Sequence, residues 1–263
     1  MSDVFLQEAY NQIKDSAWPD IETYYDFIKL PNGIKSECYR LHDFQSVVNR
    51  SEDAEYWRKY SLSGFKFDNL VYVPVSKCAS TYYGTLFENL GWKKLPLYNV
   101  DFNSVSAFGI IMDPITRYLK GITEWIWTAD LLPSYVGDLE NQDLFNRITS
   151  KLLFPDSHTL PYTIVYGKLL EKINWIPMDD MSSIDIKKQI LKFCKAHGHD
   201  IPLPLNEEKT HISSLEKLNL HRAVKATFFK KPSIHRIYTL LADDLKFYHR
   251  LVEKTHLLHQ PTI

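Results

Sequence analysis

The apolar residues of this chain change their spacing near residue 70. From Leu70 the run "LVYVPV" is short, apolar and rich in β-branched residues, and it halts at "SKCAST". Beyond that halt Tyr82, Leu86, Phe87 and Leu90 recur at helical spacing, and Gly91 ends the helix they predict. "SAFGIIMDP" predicts a second strand, and Asp113-Pro114 opens a helix through "PITRYLKGITEWIW", since proline is favoured in a helix's first turn. "INWIPMDD" predicts a third strand. Strands alternating with helices predict an α/β domain around a mostly parallel sheet, in which ligands sit beyond the carboxyl ends of the strands. "PVSKCAST" and "MDPITR" both fall at such ends.

On either side of this region the pattern is helical. The first residues predict a short helix up to about Ser16, a second near "PDIETYYDFIKL", a Pro-Asn-Gly turn from Pro31 to Gly33 and a third helix through "SEDAEYWRKYSL". These form an expected helical layer over residues 1–69, packed on a core domain of residues 70–263 as one globular unit. After Asp180, "SSIDIKKQILKFCKAHG" has a Ser/Asp start and a glycine stop, and "SIHRIYTLLADDLKFYHRLVEK" keeps helical spacing over several turns.

Composition narrows the function. The chain has 263 residues, 44% hydrophobic and 14% aromatic, which suits an ordered globular protein. Its 31 basic and 32 acidic side chains leave no strongly basic face, so nucleic acid is not an expected partner and any anion must be held by a local site. Cys38, Cys78 and Cys194 are far apart and odd in number, which argues against a disulfide framework or a zinc site. The charged, amphipathic start lacks the basic and apolar segments of a signal peptide, and no apolar run approaches the roughly 20 residues that span a bilayer. A cytoplasmic protein without membrane contact is expected.

The chemistry concentrates at the first loop. A strand ending in a tight turn that opens a helix aims backbone N–H groups at one point, where the helix dipole also favours an anion. Lys77 adds a point charge, and Ser80 and Thr81 add hydroxyl donors, the set a phosphate demands. Ser76, Cys78 and Ala79 complete the loop. The GxxxxGK[ST] signature of nucleotide triphosphatases is absent, so magnesium-dependent ATP or GTP hydrolysis is not supported. The plainer alternative makes Lys77 a solvated lysine and Ser80 a simple helix cap.

With these residues in view, the chain resembles the sulfotransferases that use 3′-phosphoadenosine-5′-phosphosulfate (PAPS), whose first signature is a strand, a loop Pro-Lys-x-Gly/Ala-Thr/Ser-Thr/Ser and a helix. "PVSKCAST" matches it at Lys77, Ala79, Ser80 and Thr81, with two residues between Pro74 and the lysine. The resemblance implies a P-loop-like fold in which this loop binds the 5′-phosphosulfate and Lys77 meets the bridging oxygen of the leaving group. The second signature, Arg-Asp-Pro-x-x-Arg-x-x-Ser-x-Tyr, is similar to "MDPITRYLKGI" at Asp113, Pro114 and Arg117. Met112, Lys120 and Ile122 depart from it, and methionine cannot bind phosphate. Lys120 lies one turn from Arg117 and is the candidate to restore the charge at the 3′-phosphate. "FPDSHTLPY", "LPLNEEKTHISS" and "IHRIYTLLADDLKFYHRLV" resemble later segments of carbohydrate sulfotransferases, so the resemblance covers about Leu70 to Glu253. It implies PAPS as cosubstrate, 3′-phosphoadenosine-5′-phosphate (PAP) as product, no metal, and a cytoplasmic relative of bacterial or viral type.

Sulfuryl transfer needs an in-line acceptor oxygen, charge stabilisation on the leaving phosphate and a base for the acceptor proton. His158 is the first candidate base, with Asp101 and Glu124 as alternatives; each has a structural reading as a hydrogen-bonded or solvated side chain. Trp125, Trp127 and Tyr135 follow the second loop, and aromatic faces beside polar groups suit a hydroxylated acceptor, carbohydrate favoured, although such spacing also builds cores. A late loop with Asn206, Lys209, Thr210 and His211 is implied by the resemblance to close over adenosine. The spacing of His249, His256 and His259 specifies no metal site.

Overall fold

The computed structural model describes residues 25–29, 35–40, 62–128, 153–154, 158–179, 181–205, 214–228 and 233–257. In chain order its elements are β1 (Tyr25–Lys29), β2 (Lys35–Arg40), β3 (Ser63–Phe67), β4 (Leu70–Val73), α1 (Ser80–Asn89), β5 (Lys93–Pro96), β6 (Ser106–Ile111), α2 (Pro114–Thr128), β7 (Leu153–Phe154), α3 (Tyr162–Tyr166), β8 (Ile173–Pro177), α4 (Ser183–Ala196), α5 (Leu215–Phe228), α6 (Ser233–Leu240) and α7 (Ala242–Leu257). They fall into two compact units that interleave along the sequence. Unit 1 takes Met1–Val48, Pro114–Val165 and Ser213–His249; unit 2 takes Asn49–Asp113, Tyr166–Ile212 and Arg250–Ile263.

Unit 2 is α/β, built on a five-stranded sheet in the order β5-β3-β4-β6-β8. The strands β4, β6 and β8 run parallel, as their buried apolar runs predict, while β3 is antiparallel to both of its neighbours, β4 and β5. The sheet is therefore mixed, where the sequence predicts a mostly parallel one. The physical reason is the two-residue link after Phe67, where Asp68 adopts a left-handed φ of 54° and lets β3 fold straight back along β4.

All four residues of β4 are buried, so its two faces meet two apolar layers. On one face Tyr72 lies against Phe87 of α1 at 4.8 Å between ring centroids and against Phe108 of β6 at 5.5 Å. Ile110, Ile176 and the α4 residues Ile186, Ile190 and Cys194 extend this core. Burying each large aliphatic or aromatic side chain here contributes about 1.5–3 kcal/mol. On the other face Trp175 of β8 lies directly across Gly109 of β6, where a Cβ would stand 2.4 Å from the indole Cζ3. The glycine is what lets the ring cross the strand, and Trp175 Nε1 donates to the Leu170 carbonyl at 2.9 Å. At α4 the predicted caps are present: Ser182 accepts from the Asp185 N–H, and Gly198 takes a φ of 86° after the helix.

Unit 1 has an antiparallel sheet in the order β1-β2-β7. Here a sequence expectation is corrected, because Tyr25–Lys29 of the expected helix near "PDIETYYDFIKL" is strand, paired Tyr25 to Tyr39 through Lys29 to Lys35. Cross-strand pairing overrides the local helical spacing. The other two expected N-terminal helices lie outside the described residues. In α2 the residues Ile115, Tyr118, Leu119, Ile122, Trp125 and Ile126 are buried at helical spacing, as predicted. The long C-terminal helix is two helices, α6 and α7, divided at Leu241. No helix among the described residues is long and apolar enough to cross a membrane.

Candidate functional site

The loop between β4 and α1 leaves the carboxyl edge of the unit 2 sheet. Cys78 N–H donates to the Val75 carbonyl at 3.0 Å and closes a tight turn, and Tyr83 N–H donates to the Ala79 carbonyl at 3.0 Å to begin the helix. Within this turn Lys77 has φ 68° and Ala79 φ 56°, both left-handed, while Ser76 and Cys78 between and before them are not. Where left-handed residues alternate with right-handed ones, backbone N–H groups can converge as an anion-binding nest; in this loop the Cys78 N–H is already spent on Val75. Holding a non-glycine residue left-handed costs about 1–2 kcal/mol. The N-cap of α1 is Ala79, which makes no side-chain cap bond, so Ser80 stands inside the first turn rather than capping it. Ser80 is part-buried and Thr81 exposed.

Three features missed by the sequence reading surround this loop. Lys187 of α4 is wholly buried, with its ammonium 5.6 Å over the ring of Tyr82 in the first turn of α1. Tyr72 is wholly buried, and burial first, then Cys78 of the loop, Tyr166 and Tyr83, pushes the ionisation of its hydroxyl well above the ordinary phenol range. Among the described residues that buried hydroxyl has no hydrogen-bond partner. Tyr166 supports the loop from below, donating to the Pro74 carbonyl at 3.0 Å. Next along the same edge, Asp113 N–H after β6 donates to Asp179 Oδ2 after β8 at 2.5 Å. Met112 is buried, as befits a side chain with no use for phosphate.

Asp101 stands at the other end of the strands, ahead of β6, where it is exposed and its carboxylate accepts from Asn103 N–H at 2.9 Å. This is a turn-stabilising role.

The second expected segment belongs to unit 1. Arg117 of α2 is buried, donates from Nη1 to the Leu160 carbonyl at 2.5 Å and stacks over the Tyr162 ring at 4.6 Å. It anchors the segment before α3. That segment is held from its other side by Asp244 of α7, wholly buried, which accepts from Tyr162 N–H at 2.6 Å, Thr163 N–H at 2.8 Å and the Thr163 hydroxyl at 2.7 Å. Burial raises the Asp244 pKa above the ordinary carboxylate value, against the opposing pull of these bonds and of Arg117. His158 is part-buried, and its backbone presses on α2 so closely that a Cβ on Gly121 would stand 2.8 Å from its carbonyl oxygen.

Lys120 is part-buried on α2, one turn from Arg117. Its charge acts on His221 of α5, whose pKa is lowered by burial first and then by Lys120 and Lys225. Glu124 is ion-paired to Lys217 of α5 at 2.5 Å, and Lys217 also lies 5.8 Å over the Trp127 ring. Trp125 is buried in the core. Tyr135 and the late loop with Asn206, Lys209, Thr210 and His211 lie outside the described residues, as do the side chains of His256 and His259, while His249 is exposed. Cys78 and Cys194 are buried thiols outside any disulfide, and burial pushes the Cys194 pKa up to about 11. Among the described residues no group of acidic, histidine or cysteine side chains could hold a metal ion. No family model matches the chain, and neither a curated protein nor a solved structure is found to match it.

Proposed function

We propose that this protein is a sulfotransferase that moves a sulfuryl group from PAPS to a hydroxyl acceptor, with carbohydrate favoured. The observation that carries this reading is the loop Ser76–Ala79 at the carboxyl edge of the sheet, wound with alternating handedness into an uncapped helix N-terminus. Such a loop favours an anion by its backbone alone. Lys77 on the loop supplies charge for the leaving phosphate, and Ser80 and Thr81 supply hydroxyl donors at the start of α1. In this reading Lys120 serves the 3′-phosphate in place of the arginine that Met112 replaces. His158 is the proposed base, and the scheme calls for no metal.

Calorimetric titration with PAP, beside ATP and AMP, tests it. Selective micromolar binding of PAP that weakens at least about tenfold in Lys77→Ala supports the assignment, that being the scale of a lost charge-assisted hydrogen bond. Absence of PAP binding at millimolar concentration would sink it.

A second reading, a noncatalytic nucleotide-binding protein of the same design, is favoured by one observation: Met112 and Arg117 are both buried, with the Arg117 guanidinium committed to Leu160 and Tyr162. PAP binding without transfer from PAPS to any hydroxyl acceptor would select it.

A further inference from the structure

The apolar face of α4 carries a charge. Ile186, Ile190 and Cys194 enter the unit 2 core beside Tyr83 and Phe87 of α1. Lys187 shares their stripe at helical spacing, wholly buried and the only lysine so placed among the described residues. A leucine or methionine would fill that position without taking an ammonium out of water, and a single ring face returns only part of what that desolvation costs. The charge is thus kept where it burdens the fold.

Its ammonium lies 5.6 Å over the ring of Tyr82. A helical side chain leans back toward the N-terminus of its own helix, so the Tyr82 ring covers the turn that starts at Ala79 and Ser80, directly after Lys77 and Cys78. Neither a carboxylate nor a side-chain cap in that first turn offsets the positive end of the α1 dipole. Cations are favoured at the other end of a helix, so Lys187 adds to a field that is already positive. The nearby charges on its own helix are exposed and engaged with each other: Asp185 accepts from the Ser182 hydroxyl and pairs with Lys188 at 3.5 Å. The carboxylates at this edge of the sheet, Asp113 and Asp179, follow β6 and β8, and Asp179 accepts the Asp113 N–H. Lys187 has contacts beyond the Tyr82 ring, so what singles it out is the place of its charge rather than any want of partners.

We propose that Lys187 is a positioning residue for the anion held at the Lys77 loop: its ammonium seats Tyr82, and with it the first turn of α1, and its charge strengthens that turn's hold on a phosphate. This deepens the sulfotransferase reading and rests on it for the ligand, the 5′-phosphate that PAPS, PAP and AMP share. Lys77, Tyr82 and Lys187 all belong to unit 2. A phosphate dianion reverses the surroundings that make the buried ammonium costly, so ligand and lysine stabilise one another. Binding is a plain association with no covalent change. The cation also favours the dianion over the monoanion, which places the second pKa of the bound phosphate below its free value of about 6.

The test is calorimetry on the intact chain with PAP, AMP and inorganic phosphate, joined to a phosphorus NMR titration of bound AMP against pH. Lys187→Met keeps the length and the apolar stem of the side chain and should melt no lower than the wild type. It should bind AMP and PAP about tenfold more weakly and raise the second pKa of bound AMP by up to about one pH unit, a signal that a lysine of purely structural use would not move. Tyr82→Leu, which removes the seat, should weaken AMP about threefold, while Tyr82→Phe should leave it unchanged. That pair decides the matter if thermal melts show Lys187→Met to be unfolded. A folded Lys187→Met with unchanged affinity and an unchanged phosphate titration overturns the proposal and leaves the sulfotransferase reading standing. Inorganic phosphate bound by the wild type and weakened in Lys187→Met, with PAP not bound at millimolar concentration, supports the role of Lys187 and removes the sulfotransferase reading. Failure of all three probes to bind overturns both.

Discussion

Replacing Asp244 by alanine removes the one acceptor that a buried donor and two part-buried donors share. Tyr162 N–H, Thr163 N–H and the Thr163 hydroxyl all end on its carboxylate within 2.8 Å, and Arg117 would remain buried without that charge. A buried donor left without an acceptor costs about 1–3 kcal/mol, and water entering the vacated volume offsets part of this. With three donors losing one acceptor, two of them part-buried, the net loss should be about 3–5 kcal/mol. In urea denaturation this lowers the midpoint by about 1–2 M. A loss below about 1 kcal/mol would refute the view that Asp244 fastens the start of α3. Asp244→Asn keeps an acceptor oxygen and should lose less. The sign of its pH dependence follows from the raised pKa: folded Asp244 holds its proton more tightly than an unfolded aspartate, whose reference value is 3.8. Stability from this group is therefore complete below that reference and is lost as pH rises through the folded value. The advantage of the wild type over Asp244→Asn should accordingly widen on acidification, and a gap that narrows would contradict it.

Two further substitutions test the unit 2 sheet. Gly109→Ala drives a methyl into Trp175 and the Val73 carbonyl, at 2.4 and 2.9 Å, and should destabilise by about 1–3 kcal/mol in thermal melts, with Trp175 fluorescence shifted; an unchanged melt and spectrum would refute the packing. Tyr72→Phe removes a buried hydroxyl that has no partner among the described residues and should stabilise by up to about 1 kcal/mol, whereas a loss of that size would mean the hydroxyl is satisfied when the protein is in solution.

The parts of the fold that were legible are those where burial leaves a local trace. The strands β4, β6 and β8 sit inside the sheet and read as unbroken apolar runs, and α4 announces itself by Ser182 and Gly198. The strand β5, "KKLP", has two exposed lysines and no alternation, so only its pairing with β3 makes it a strand. The break between α6 and α7 at Leu241 falls inside a continuous helical spacing. At the candidate site, the Lys77 loop was legible because a strand, a turn and a helix follow one another directly. His221, Asp244 and Lys187 were not, since each acts on groups remote in sequence: Thr123 lies 98 residues from His221, and Tyr162 82 residues from Asp244.

The interleaving of the two units sets the order in which the chain can fold during synthesis. The parallel neighbours β6 and β8 are separated by the whole of Pro114–Val165, which belongs to unit 1, and unit 1 in turn takes a later segment from Ser213–His249. The β4–β6 pair can form early, but it must wait with its apolar faces open until β8 emerges, because such long-range pairing has to close its intervening loop first. Arrest of translation between residues 114 and 165 should therefore leave a nascent chain that recruits chaperones, and neither unit should be obtainable by cutting the gene once.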